Sequence, residues 1–294
     1  MPFANIVLSL LIFLGLLLGF SFPEAGLNLG PFLPYFLMAL MFFVFLKLNT
    51  DDFRKIKLKT ILVGLFFIIV LMPVLSIAGN LLSPIVFAGT LLAFSCPSAA
   101  SSAFFSNAFG GSSSLAVTLT TISGLASIVL LPIIMLLGVG TSVTFDPMSI
   151  LTSLVQIILV PFLIAFLFKR YSKRLSMKLL KHERRISYVI IVFILWGGVS
   201  TGAGYVQGNL YEFLQVNVLI TILLAIAMSI SYSIGRIFGR ETAMTFGITT
   251  SMKNGILALV VGAVAFGPQI VITLIANLIG QNIILMTIGM LKRK

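Results

Sequence analysis

Apolar runs recur from one end of this chain to the other, each about 20 residues long and so able to cross a bilayer as a helix. Nothing constrains the fold more. Inside lipid every backbone N–H and C=O must find a partner without water, so only helices and closed barrels span a membrane. A barrel strand alternates apolar and polar residues, and these runs are continuous. Charged residues make up 9% of the chain, against about 25% in a soluble domain. The chain reads as an all-α polytopic membrane protein.

Ten spans can be drawn, roughly 3–21, 32–48, 60–82, 84–109, 113–138, 148–168, 186–206, 213–235, 242–266 and 268–291. The N-terminus lacks a basic n-region, so Phe3–Phe20 reads as a retained first span rather than a signal peptide. The net charge of +12 is carried between spans and reads as topology, not as a nucleic-acid surface. With ten spans, eighteen of the nineteen Lys and Arg residues fall on one side. They include Lys47, Arg54, Lys55, the run Lys169–Arg185, Arg236, Arg240 and Lys292–Lys294. The opposite connections carry only Glu24, Asp146 and Glu212 as charges. The positive-inside rule then makes both termini cytoplasmic in the plasma membrane, and the basic run Lys169–Arg185 reads as a contact for anionic lipids.

The nineteenth basic residue is Lys253, twelve residues past Glu241 and thirteen before Phe266. That places an ammonium near the bilayer midplane, at a cost of about 2.5–3.5 kcal/mol on insertion scales. It sits in a polar interruption, Thr249-Thr250-Ser251-Met252-Lys253-Asn254-Gly255. A charge so placed marks either a functional site or a lysine held by backbone carbonyls in the protein interior.

A second interruption lies at Ser95-Cys96-Pro97-Ser98-Ala99-Ala100-Ser101-Ser102. Pro97 removes a donor and disfavours helix at Cys96. The two stretches share a register: Gly111 to Gly267 and Gly124 to Gly280 are both offset by 156, and the same offset sets Pro97 opposite Lys253. Five spans per copy forces the second copy into the membrane upside down. The reading is therefore two inverted five-helix repeats, 1–139 and 140–294, with helices 4 and 9 interrupted at matching places. Paired broken helices in inverted repeats point to a secondary transporter with its site at the repeat interface. Candidate substrate residues are Pro97, Ser98, Ser101, Thr250, Lys253 and Asn254.

Other signals are local or negative. Ser112-Ser113-Ser114 reads as a turn with a helix cap. Of Thr118, Thr120 and Thr121, Thr120 is placed inward; Asn277, Gln281 and Asn282 either line a cavity or bond across helices. Pro132 and Pro161 read as kinks. One cysteine and one histidine, His182, exclude an intramolecular disulfide and a Cys or His metal cluster. With no P-loop and no catalytic motif, ATP-driven transport and enzymatic activity lack their parts, and no cofactor is implied.

The stretches SCPSAASS and SMKNGILAL, with Met72-Pro73 in span three, are similar to the bile acid:sodium symporter family, related to arsenite and auxin efflux carriers. The resemblance covers nearly the whole chain. It implies a panel domain of helices 1, 2, 6 and 7 and a core of helices 3–5 and 8–10, with organic anion and sodium bound where helices 4 and 9 cross. Among the sodium ligands it implies, Ser102, Thr120 and Asn254 match. Five positions depart. An asparagine is replaced by Ala103, a serine by Ala116, a glutamate and a glutamine by Thr249 and Lys253, and a span-three glutamine by Ile68. The anionic sodium ligand is gone and an ammonium stands at a sodium-ligand position.

The expectation is thus a secondary active transporter of a small organic anion, bile-acid-like or smaller, working by alternating access. Lys253 replaces a bound cation, and Ser102, Thr120 and Thr249 are residual or replaced ion positions. Transport is then sodium-independent, with a proton as the possible coupling ion. The rival within transport is a sodium symporter with remodelled ligands; outside it, a passive channel or a non-transporting receptor.

Overall fold

The computed structural model describes residues 2–47, 56–140, 143 and 145–291; for residues 2–9 and Lys173 only the backbone is described. Arg54, Lys55 and Lys292–Lys294, on which the topology reading draws, lie outside the described residues. Among the described residues regular structure is helical, apart from one isolated antiparallel bridge, Ser98 to Lys253.

The main helices are α1 (Pro2–Ser21), α2 (Leu33–Lys47), α3 (Leu58–Phe66), α4 (Met72–Leu75), α5 (Pro84–Ser95), α6 (Ser102–Ala108) and α7 (Ser113–Val139). They continue as α8 (Pro147–Leu154), α9 (Val160–Tyr171), α10 (Lys173–Ser200), α11 (Leu210–Gly235), α12 (Arg240–Ser251), α13 (Gly255–Ala265) and α14 (Val271–Leu291). A π-helical turn, Phe67–Leu71, joins α3 to α4, and another, Val155–Leu159, joins α8 to α9. Among the described residues six stretches are long and apolar enough to cross a membrane: Pro23–Lys47, Leu58–Leu81, Ser113–Val139, Pro147–Tyr171, Leu210–Phe238 and Pro268–Met290. Leu10–Ser21, Pro84–Ser95 and Gly255–Ala265 are apolar but shorter.

The pattern of exposure suits lipid. Along the stretch Leu58–Leu81, Leu62, Phe66, Val70, Val74 and Ile77 point outward while Ile61, Phe67, Ile68 and Met72 are buried. Such a continuous apolar outer face belongs against acyl chains rather than water.

Helices gather in two groups. In one, α1 lies along α10, and α2 packs on α9 and α10. The α1–α10 approach depends on glycine: a Cβ on Gly15 or Gly19 would stand 2.6 Å from the Cβ of Leu195 or Val199. In the other, α11 packs on α12 and α14, and α5 packs on α7 and α14. Helix α13 bridges them, touching α2 and α10 on one side and α14 on the other.

Two expectations are refined. The run Lys169–Arg185, read as lying between spans, is helical apart from a break at Ser172, and α10 carries its basic half straight into its apolar half. No glycine or proline interrupts it between Lys173 and Trp196, so nothing in the backbone ends it there. Pro161 is more than a kink, since it directly follows a π-helical turn that the Val160 N–H closes on the Val155 carbonyl. Ser112 caps α7 as expected, its Oγ accepting from the Leu115 N–H at 3.3 Å.

Candidate functional site

Helices α5 and α12 have twelve residues each, about 18 Å of helix against a hydrocarbon core of about 30 Å. Both stop part-way and the chain resumes as α6 and α13. Helix α5 ends where Cys96 turns extended, ψ 151°, as the residue before Pro97 must. Each break leaves backbone groups without helical partners, and each supplies the other's. Ala99 N–H donates to the Met252 carbonyl and Asn254 N–H to the Pro97 carbonyl, both at 2.8 Å. The second interruption is narrower than its polar sequence implied. Thr249, Thr250 and Ser251 stay helical, and Thr249 Oγ1 and Ser251 Oγ donate back to the carbonyls of Thr245 and Gly247 at 2.8 Å.

Lys253 is fully buried at this splice. Its Nζ donates to the Ile68 carbonyl at 2.9 Å. The carbonyl is free for a reason written in the sequence. In the π-helical turn each carbonyl bonds five residues ahead, as Met72 N–H to Phe67 O does. The residue five ahead of Ile68 is Pro73, which has no N–H. The C-terminal ends of α5 and α12 also converge here, and their partial negative charge favours a cation.

Beside the ammonium lies a set of hydroxyls. Ser98 Oγ donates to Ser102 Oγ at 3.1 Å, Ser102 and Thr120 share a bond of 3.0 Å, and Ser123 Oγ accepts from Ser98 N–H at 3.3 Å. Ser123 also donates to the Thr120 carbonyl at 3.2 Å, so these groups satisfy one another. Thr249, bonded within its own helix, does not join them. Thr250 Oγ1 is buried without a partner. Among the described residues no three His, Cys, Asp or Glu side chains group so as to hold a metal ion. As arranged, these four hydroxyls bond among themselves with no carboxylate among them, so the set offers a second cation beside Lys253 only weak, neutral oxygens.

A cavity of about 620 Å³ opens next to the splice. Of the candidate residues, Lys253, Asn254, Ser101 and Thr120 line it, while Pro97, Ser98, Ser102, Thr249 and Thr250 stand behind the wall. Leu37, Leu40, Met41 and Val44 of α2 face them across it. Asn254 is fixed, its Oδ1 capping α13 by accepting from Leu257 N–H at 3.1 Å. Gln281 and Asn282 reach the cavity, but Asn277 is fully buried with both amide atoms unpartnered. The far end is charged: Lys47 pairs with Glu183 at 2.7 Å, Ser187 Oγ donates to Glu183 at 3.2 Å, and Arg184 stands beside them.

The family resemblance marked Ile68 by its side chain, but its carbonyl as the acceptor for Lys253, Ser123 and the Lys47–Glu183 pair were not anticipated from sequence. Only Pro73, five residues after Ile68, could have signalled the free carbonyl.

Apolar helices throughout, two of them interrupted and spliced beside a half-polar cavity, are the build of a membrane transport protein. The chain belongs to the Sodium Bile acid symporter family, whose family model matches residues 34–209. Members of that family are transporters, not enzymes. The chain is also similar to a Bacillus subtilis (strain 168) protein named uncharacterized sodium-dependent transporter YocS, with 27% identity over 208 residues, 69% of this chain. The match spans 63% of that relative's length.

Proposed function

We propose that this protein is a secondary active transporter of an organic anion in which the Lys253 ammonium replaces a bound sodium ion. The observation that carries the reading is the 2.9 Å bond from Lys253 Nζ to the Ile68 carbonyl. By the family resemblance both positions belong to sodium-ligand residues, and here they meet through a fixed positive charge. An ammonium has three donors, and one is used by Ile68. The other two serve a carboxylate entering the cavity, with the N-terminus of α13 adding its favourable dipole. The cavity volume lies within the range of about 300–1,000 Å³ usual for small-molecule sites, enough for a bile-acid-like or smaller carboxylate.

The architecture proposed with it has ten transmembrane helices in two inverted repeats, 1–139 and 140–294. In its support, α5 and α12 have equal length and start 156 residues apart, and the helices gather in two groups that correspond to a panel and a core. Alternating access then moves the core against the panel. The cavity reaches Lys47 and Arg184, residues the positive-inside rule puts on the cytoplasmic side, which supports reading this form as the inward-open one.

A second reading keeps sodium as the coupling ion, in line with the relative's name. The hydroxyls of Ser98, Ser102, Thr120 and Ser123 favour it, since they would form a weak oxygen site once turned from one another. The test has two stages. A thermal-shift screen of carboxylates from acetate to a bile acid identifies a substrate; uptake into proteoliposomes is then measured with sodium replaced by choline, at several pH values. Uptake that persists in choline supports the ammonium reading. A strict, saturable sodium requirement overturns it and leaves Lys253 as a substrate counter-ion.

A further inference from the structure

We propose that Pro73 is the positioning residue of Lys253: by withholding its N–H it keeps one mid-helix carbonyl open as a socket for the ammonium. The argument begins with the backbone. Met72 N–H bonds Phe67 O in π register, which passes the Ile68 carbonyl on to residue 73. An N–H there would close the ladder and leave a buried lysine without its one hydrogen bond. Pro73 has none, so the carbonyl points at Lys253 Nζ and receives it at 2.9 Å. Ile68 and Met72 are buried, which keeps water from taking the carbonyl instead.

The chain holds its own control. In the turn Val155–Leu159, Val160 N–H bonds Val155 O, and Pro161 likewise denies a donor to the Gln156 carbonyl. Gln156 is exposed, whereas Ile68 is buried. The π-turn followed by proline is thus a backbone device that occurs twice, and in the first copy the freed carbonyl is buried and met by a lysine.

The inference deepens the reading of Lys253 as the resident cation but does not stand on transport. Its test uses the full-length purified protein in detergent, without sodium or substrate. Thermal unfolding midpoints are compared for Pro73→Ala in two backgrounds, the native one and Lys253→Met. With Lys253 present, the N–H gained at position 73 competes for the Ile68 carbonyl, and the midpoint falls by roughly 2–4 °C or more. In the Lys253→Met background the carbonyl is an orphan that the gained N–H satisfies, so the same substitution raises the midpoint. A proline that merely shapes the helix gives the same sign in both backgrounds, and that result overturns the proposal. Pro161→Ala should have one sign throughout.

A second readout follows Lys253 itself. Acetic anhydride labelling, quantified by peptide mass spectrometry, should rise at least about tenfold at Lys253 in Pro73→Ala as the ammonium is released to the cavity, with other lysines unchanged. If Pro73→Ala does not fold, the double variant decides: the proposal expects it to be recovered, and its failure overturns the proposal. A sign reversal together with sodium-dependent transport would uphold the socket and reject the function proposed above; the opposite pair would do the reverse.

Discussion

Asn254 N–H donates to the carbonyl of Pro97 at 2.8 Å, so a proline that ends one helix is also an acceptor for the residue that begins another. Together with Ala99 N–H on Met252 O, this bond means that neither break is complete alone. The side chains follow. Lys253, immediately before Asn254, is held between the splice and the Ile68 carbonyl.

Removing that lysine should therefore be costly in a specific way. Lys253→Ala is expected to lose at least about tenfold in carboxylate affinity, the charge-assisted bonds being worth about 1.4 kcal/mol or more. It also orphans the Ile68 carbonyl, destabilising the fold by about 1–3 kcal/mol. Lys178→Ala, a change on the exposed basic half of α10, should alter neither. Calorimetric titration of the identified carboxylate measures the first effect and thermal unfolding the second. Unchanged affinity in a folded Lys253→Ala would show the lysine to be structural only.

If Lys253 stands in for sodium, the ion should be recoverable by design. Ile68→Gln, Thr249→Glu and Lys253→Gln together restore the ligand types that the family resemblance implies. The triple variant should gain an unfolding midpoint rise of roughly 5 °C in excess sodium over potassium, where the native chain shows none. A folded triple variant blind to sodium would count against the substitution of one cation by the other.

Asp146 gives a pH-dependent term outside the spans. It caps α8: Ser149 Oγ donates to its Oδ2 at 2.7 Å and Met148 N–H to its Oδ1 at 3.0 Å. These bonds, the Ser149 hydroxyl first, hold its carboxyl below the usual carboxylate range. A depressed folded value contributes stability that is present above the unfolded value of about 3.9 and lost as pH falls through the folded one. Asp146→Ala should thus unfold at a lower temperature than the native chain at neutral pH, and the difference should shrink on acidification. A gap that is constant from pH 7 to pH 3 would remove the carboxylate from the cap.

Topology can be read with thiols, because Cys96 is fully buried and should stay silent to a hydrophilic maleimide. Cysteine at position 178 should label only in inverted vesicles, and cysteine at 146 only in intact cells. Labelling of position 178 from outside would sink the ten-span arrangement.

The apolar runs made the helical membrane class legible, because lipid permits few alternatives. Pro97 and Lys253 marked both breaks, since each violates a rule of buried helix. Their extents were less legible. Thr249 and Ser251 look like interruption in sequence, yet a hydroxyl that bonds its own helix four residues back leaves the helix intact. Ile68 was hidden more deeply. Its apolar side chain says nothing of its carbonyl, whose freedom depends on a residue five places away. The Lys47–Glu183 pair is invisible for a different cause, as it joins helices distant in sequence whose meeting only packing decides.

The lysine at the splice also has an electrical meaning. A sodium ion that accompanies an anion carries its charge across; an ammonium fastened to the chain goes nowhere. If Lys253 stays charged through the cycle, each monoanion moves one net negative charge, and a potential of 100 mV, negative inside, favours its exit by about 2.3 kcal/mol. On a solid-supported membrane the substrate-induced current should then have the sign of the anion, opposite to that of a carrier taking in two sodium ions with it. On that reading, a fixed cation in place of a mobile one would turn the same fold from a pump for uptake toward a route for export.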